Sequence, residues 1–106
     1  MKFYKLENFI RGWFVGNFEP TIIKNENCEV AIQNYKKGDK EQAHMHKQAN
    51  EITAIGEGVF KMSGKIIKKG DIVLIEKGEA TDFECIEDGH TIVYKDKSVK
   101  GDKYLV

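Results

Sequence analysis

Residues 38–58 read GDKEQAHMHKQANEITAIGEG, with His44 and His46 one residue apart, Glu51 five positions further on, and glycines at both ends. The surrounding residues alternate as a β-strand does. Residues two apart on a strand share a face, so His44 and His46 present both imidazoles to one side while Met45 faces the other. Glu51 opens the next strand after the short connection Gln48-Ala49-Asn50. An antiparallel neighbour can thus bring its carboxylate alongside the two rings. Imidazole with carboxylate suits divalent Zn, Fe, Mn, Ni or Cu, and two-His-one-carboxylate sets with open positions are typical of non-haem iron. A His-x-His pair on a strand also occurs as a plain packed or surface pair.

Outward from this segment the chain consists of short β-rich runs with turn signals between them and almost nothing at helical period. The expected strands are 13–18, 28–36, 43–48, 51–58, 59–64, 65–68, 71–76, 81–87 and 90–96, separated by glycines with polar or charged neighbours. Pro20 ends the first of them. The fold class is all-β, a sandwich or barrel. A Lys-Gly-Asp triplet recurs at 37, 69 and 100 without matching flanks, which reads as reused turn chemistry rather than a repeat.

The 106 residues form one domain, 1–106, large enough to bury a core without staples. Lys plus Arg equals Asp plus Glu at 17 each, so no basic field exists to hold nucleic acid or an anionic membrane. The N-terminal MKFYKLENFI breaks its apolar residues with Lys5, Glu7 and Asn8, and no run approaches a membrane span of about 20 residues. The expectation is a soluble, cytoplasmic protein. Cys28 and Cys85 lack metal-ligand spacing and read as reduced packing residues.

Written as Gly-x5-His-x-His-x4-Glu-x6-Gly, residues 38–58 resemble the first motif of the cupin superfamily at Gly38, His44, His46, Glu51 and Gly58. The resemblance implies a double-stranded β-helix, or jelly-roll, barrel in which the two histidines and the glutamate hold a divalent metal such as Zn, Fe, Mn or Ni. The second cupin motif, Gly-x5-Pro-x-Gly-x2-His, falls on Gly70, Glu76, Gly78 and Thr81, with both glycines matched, glutamate in place of proline, and threonine in place of the last histidine. Asp82 is the alternative fourth position. A regular strand puts Thr81, Phe83 and Cys85 on the inner face and Asp82 on the outer, whereas a β-bulge would reverse them. His90, after Glu87-Asp88-Gly89, reads as an exposed turn residue or a distant substrate contact.

Small-ligand pockets combine apolar walls with a few polar groups. The candidates are Gln33, Tyr35, Thr53, Met62, Phe83 and Tyr94, with Tyr35 as the proton shuttle. The aromatic strand around Trp13, with Phe14 and Phe18, is a candidate subunit contact, and the resemblance implies a homodimer. The charged C-terminal KSVKGDKYLV is expected to pack loosely over the barrel. The leading function is a metal-binding cupin that holds a small polar, sugar-derived ligand, with isomerase, epimerase or oxygenase chemistry. The alternatives are a non-catalytic binding or sensing module and a metal-free acid–base keto-sugar isomerase.

Overall fold

The computed structural model describes all of residues 1–106. Two single 3-10 turns, Leu6–Asn8 and Ile10–Gly12, precede nine strands. These are β1 (Trp13–Gly16), β2 (Ile23–Lys24), β3 (Glu29–Tyr35), β4 (Lys40–Met45), β5 (Glu51–Met62), β6 (Lys65–Lys68), β7 (Ile72–Ile75), β8 (Ala80–Lys95) and β9 (Tyr104–Leu105). No α-helix is present, so no helix is long and apolar enough to cross a membrane.

β5 and β8, the two long strands, pair antiparallel along most of their length, from Glu51↔Lys95 to Lys61↔Glu84. The free edge of β5 pairs with β7 near its start and with β6 near its end. The free edge of β8 is shared likewise, by β4 over its first residues and by β3 over its last. Two half-sheets result, joined through the middle of β5 and β8. The core of Ile55, Phe60, Met62, Ile67, Ile75, Phe83 and Cys85 lies between them, with Tyr35 packed against it. Tyr35, Phe60 and Phe83 form an aromatic cluster with centroid separations of 4.9–5.7 Å.

The expected breaks at Gly58 and at Asp88-Gly89 are not turns: each of the two long strands runs straight through. The glycines instead accommodate register shifts between Ile55 and Phe60. Thr53 and Ile55 face the core before the shift, Phe60 and Met62 after it, so the inward set changes phase by one residue. His90 accordingly stands in mid-strand, half-buried, with its ring beneath Gly56. Two short strands, β2 and β9, were not expected from their sequences. Far from packing loosely, the C-terminal segment buries Ser98 and Asp102 and adds β9 to the edge of β4.

Gly58 has φ of +89°, and a Cβ there would stand 2.7 Å from the carbonyl oxygen of Asp88. Gly64 has a similar φ, +81°, with nothing within 4 Å. Gly58→Ala should therefore lose clearly more stability in urea denaturation than Gly64→Ala, whose loss reflects only the left-handed backbone, about 1 kcal/mol. Equal losses would show that the close approach of β5 and β8 does not depend on this glycine.

Candidate functional site

β4 ends at Met45, and the chain crosses from one half-sheet to the other through residues 46–50 before β5 begins at Glu51. A crossing loop leaves the N–H groups of several residues without ladder partners, and buried ones must be satisfied. Asp102 supplies the partners: its carboxylate accepts hydrogen bonds from the backbone N–H groups of Lys47, Gln48 and Ala49 at 2.9–3.2 Å. Its carbonyl oxygen accepts from Nδ1 of His46. This contact fixes which ring nitrogen faces inward.

The inward nitrogen, Nε2 of His46, lies 3.5 Å from Oε1 of Glu51, with the two side chains only 8% and 16% exposed. Thr53 donates to the other carboxylate oxygen at 2.8 Å. The hydrogen bond with Glu51 and that with the Asp102 carbonyl raise the pKa of His46 above its usual value, against the opposing effect of burial. Burial alone would raise the pKa of Glu51. The His46 and Thr53 hydrogen bonds and the Lys95 charge outweigh it, and the net shift is downward. Both directions favour an imidazolium–carboxylate ion pair.

His46 and Glu51 line a cavity of about 90 Å³ together with His44, Tyr35, Thr53 and Thr91. By volume it can hold several waters or a small molecule. Tyr35 donates from its hydroxyl toward Gln33 at 3.1 Å and Glu41 at 3.4 Å. Burial, then the charges of Glu41 and Glu51, push the Tyr35 pKa well above its usual value. The phenol therefore keeps its proton and serves as a donor rather than a base. Thr91 is 1% exposed, and its hydroxyl oxygen is buried with no hydrogen-bond partner.

Gln33, Met62 and Phe83 also line the cavity. Tyr94 does not: it is 42% exposed on the outer face, because Val93 and Lys95 take the inward positions at that end of β8. Thr81 stands directly opposite His44 in the ladder. Its hydroxyl is engaged by Ser63 and by the carbonyl of Asp82, and the Asp82 carboxylate accepts from the backbone of Ser63. Trp13 faces inward as well, with the Lys95 ammonium 5.0 Å from its ring centroid.

Several cavity residues were absent from the sequence-based candidates, among them the polar Arg11, Glu41, Thr91, Lys95 and Lys103. Asp102 was absent too. The third Lys-Gly-Asp triplet was its only signal, since Asp39 and Asp71 in the other two accept from backbone N–H groups of their own turns.

As a test of the metal expectation, the donor types fit: Nδ1 of each histidine is tied to a backbone carbonyl, His44 to Gln42 and His46 to Asp102, which leaves Nε2 as the ligating atom of each, although that of His46 already faces Glu51. The gathering is incomplete. His46 and Glu51 meet, but the His44 ring centroid is 5.3 Å from that of His46, and no three His, Cys, Asp or Glu side chains come together closely enough to hold an ion.

No protein-family model and no curated protein matches the sequence. Solved structures do match. A conserved protein from Klebsiella pneumoniae with a double-stranded β-helix domain superposes with a TM-score of 0.74 at 13% identity, over 99% of this chain and 91% of that one. A cupin-2 domain protein from Shewanella frigidimarina gives 0.61 at 14% identity, over 72% and 76%. Oxalate decarboxylase from Bacillus subtilis, a protein with Mn(II) centres, gives 0.66 at 16% identity over 77% of this chain but only 25% of its own.

The ion pair has a pH signature. A raised His46 pKa contributes stability that is full below the ordinary value of 6.5 and lost as pH rises through the folded-state value. A lowered Glu51 pKa contributes stability that is full above 4.5 and lost as pH falls through its folded-state value. The melting-temperature advantage of the wild type over Glu51→Gln should therefore peak between those two pH values and shrink on both sides. A difference that does not change with pH would rule out the pair.

Proposed function

We propose, for a chain that has the cupin double-stranded β-helix fold, that its cavity binds a small polar, hydroxyl-rich molecule, with the His46–Glu51 pair as the acid–base centre. The observation that carries this reading is the Thr91 hydroxyl, buried and without a partner in the wall of a cavity otherwise set with polar groups. A buried hydroxyl left unpaired costs about 1–3 kcal/mol, which a ligand or a bound water with matching groups would recover. Around it stand donors (Tyr35, Lys95, Arg11 and the protonated His46) and acceptors (Glu51, Glu41 and Gln33). Each hydroxyl of a sugar-derived ligand both donates and accepts, so it can meet either kind of partner. Salt bridges within the chain engage Lys95 but not Arg11, so the guanidinium is free to meet a carboxylate or hydroxyl of the ligand.

In this reading His46, held through Nδ1, carries a proton on Nε2 at the cavity wall and can pass it to a ligand oxygen. Glu51 is then an unpaired carboxylate able to take a proton from the neighbouring carbon. Tyr35 keeps its proton and orients the ligand. A binding or sensing role uses the same contacts without bond changes.

A second reading is a divalent metal held by His44, His46 and Glu51, supported by the backbone ties at both Nδ1 atoms. A bound metal would supply Lewis-acid polarisation of a ligand oxygen.

Calorimetric titration with D-glucose, D-gluconate and oxalate, and separately with Mn, Zn and Ni, distinguishes these readings. The leading one expects one of the organic probes to bind without added metal, and Glu51→Gln and Tyr35→Phe each to weaken it about 10-fold or more, as losing a hydrogen bond to a buried charged or donor group does. No binding by any of them, with only water in the cavity of a crystal structure, would overturn it. The metal reading expects saturable metal binding that His44→Ala weakens and Thr81→His strengthens about 10-fold, because residue 81 faces His44 across the ladder. Indifference to both variants would remove it.

A further inference from the structure

The cavity is continued on the side of the N-terminal turn. An open cleft of about 310 Å³ adjoins it between the turn Ile10–Gly12 and the segment that precedes β9, and Arg11, Trp13, His46, Lys95 and Lys103 line both spaces. Ile10, Phe18, Pro20 and Val99 give the cleft apolar walls.

The charges around this cleft do not balance. Its acids are already engaged: Glu19 pairs with Lys24, Glu29 with Lys95, and the Asp102 carboxylate with three backbone N–H groups. His46 is offset by Glu51. Arg11, Lys100 and Lys103 have no acidic partner within the chain. Setting these three cations against Asp102, the one acid there without a cationic partner, leaves an excess of two positive charges. The chain as a whole has a formal net charge of zero.

The backbone at Arg11 is strained. Its φ of 49° and ψ of 33° lie in the left-handed region, which residues with a Cβ disfavour. Packing on β3 imposes this conformation: Gln33 Nε2 donates to the Arg11 carbonyl at 3.1 Å, and Gly12 passes so close to the Ile32 carbonyl that no Cβ fits. Glycine or asparagine would take the Arg11 backbone more readily. Strain of this kind clusters at binding and active sites, and here it sets a guanidinium where the cavity meets the cleft. A guanidinium presents its N–H donors in a fork that matches phosphate oxygens.

We propose that the cleft binds a doubly charged anionic group, a phosphate monoester, through Arg11, Lys100 and Lys103. A phosphate monoester carries close to two negative charges at neutral pH, which is the charge the cleft lacks. Lys95 is not a free cation, because Glu29 and the Trp13 ring, with its centroid 5.0 Å from the ammonium, hold it between cleft and cavity. A ligand that continues inward from the anion site meets the Thr91 hydroxyl and the His46–Glu51 pair, so the whole molecule is a phosphorylated polyol. That extension rests on the proposed cavity ligand, whereas the anion site rests on the cleft alone.

Calorimetric titration of the full chain with inorganic phosphate, D-glucose 6-phosphate and D-glucose, at fixed ionic strength and pH 7.5, tests both steps. Inorganic phosphate and D-glucose 6-phosphate are expected to bind saturably. Arg11→Asn, which keeps a residue tolerant of the left-handed backbone, should weaken both about 10-fold or more, as loss of a charge-assisted hydrogen bond does. Lys103→Gln should do the same and serves if Arg11→Asn fails to fold. Lys37→Gln, beyond the opposite end of β3 from Glu29, removes the same charge and should change nothing. No phosphate binding, or equal weakening by Lys37→Gln and Lys103→Gln, overturns the anion site, and binding of D-glucose alone would then leave the cavity reading standing without it. D-glucose 6-phosphate binding no tighter than inorganic phosphate, with the Arg11 dependence intact, upholds the anion site and removes the extension into the cavity.

Discussion

The pairing of β5 with β8 is the constraint on which the rest of the structure depends. Every other strand except β1, β2 and β9 attaches directly to one of these two, and those three attach through β3 or β4. A ladder of this length cannot remain flat, because strands twist and the chain must wrap a core. The register shifts around Gly58 and Gly89 let the pair bend without separating. The same shifts set which residues face inward on each side of the bend. Glu51 and Thr53 are brought to the cavity at one end of β5, while Phe60 and Met62 fill the core beyond the bend. A slip of one residue in the first part of this ladder, before the bend, would turn Glu51 outward and separate it from His46.

The His46–Glu51 contact joins two differently supported groups. Glu51 sits on the ladder and is fixed by it. His46 lies just past the end of β4, in a crossing that has no ladder, and is fixed by Asp102 from a segment more than 50 positions away in the chain. Isolated ionic pairs in protein interiors often fail to offset their own desolvation. This one receives help from Thr53 at the carboxylate and from the Asp102 carbonyl at the imidazole, so each partner has a further hydrogen bond in its charged form. The C-terminal segment is accordingly part of the site's frame and not an appendage to the barrel.

The fold class was legible because its signals are local: alternation, β-branched and aromatic runs, and glycine punctuation each act over a few residues. The motif spacing at His44, His46 and Glu51 carried the cupin resemblance, and the solved structures share the double-stranded β-helix fold that it implied. Local signals misled where one residue type serves two purposes. Gly58 read as a strand end and Gly89 as a turn because glycine takes positive φ and permits close approach alike, and only the partner strand distinguishes the two. Tyr94 was counted among the pocket candidates, although the period of two that puts Thr91 and Val93 inward puts Tyr94 outward. Asp102 and Arg11 could not be assigned from spacing, since their roles arise from contacts between distant parts of the chain. Tyr35 was found by its position on β3, but its raised pKa comes first from burial and then from the charges of Glu41 and Glu51, which no linear pattern relates to it.

Alternation on β5 and β8 imposes one more condition on the sequence. A strand with water on one side can tolerate almost any polar residue there, so an outward row of isoleucine, leucine and tyrosine across several strands is not required by the fold. The cavity side, conversely, carries Glu51, Thr53, Thr91 and Lys95 where an ordinary core would carry apolar residues. Over these segments the usual arrangement is inverted, with polar groups inside and apolar groups outside. Inversion on either face alone would lower stability: buried polar groups need partners, and exposed apolar groups need cover. The two inversions occur on the same residues' neighbours, so a substitution that shifts either strand by one position would expose the charged set and bury the apolar one at the same time. The register of β5 against β8 therefore fixes the site and the outer face together.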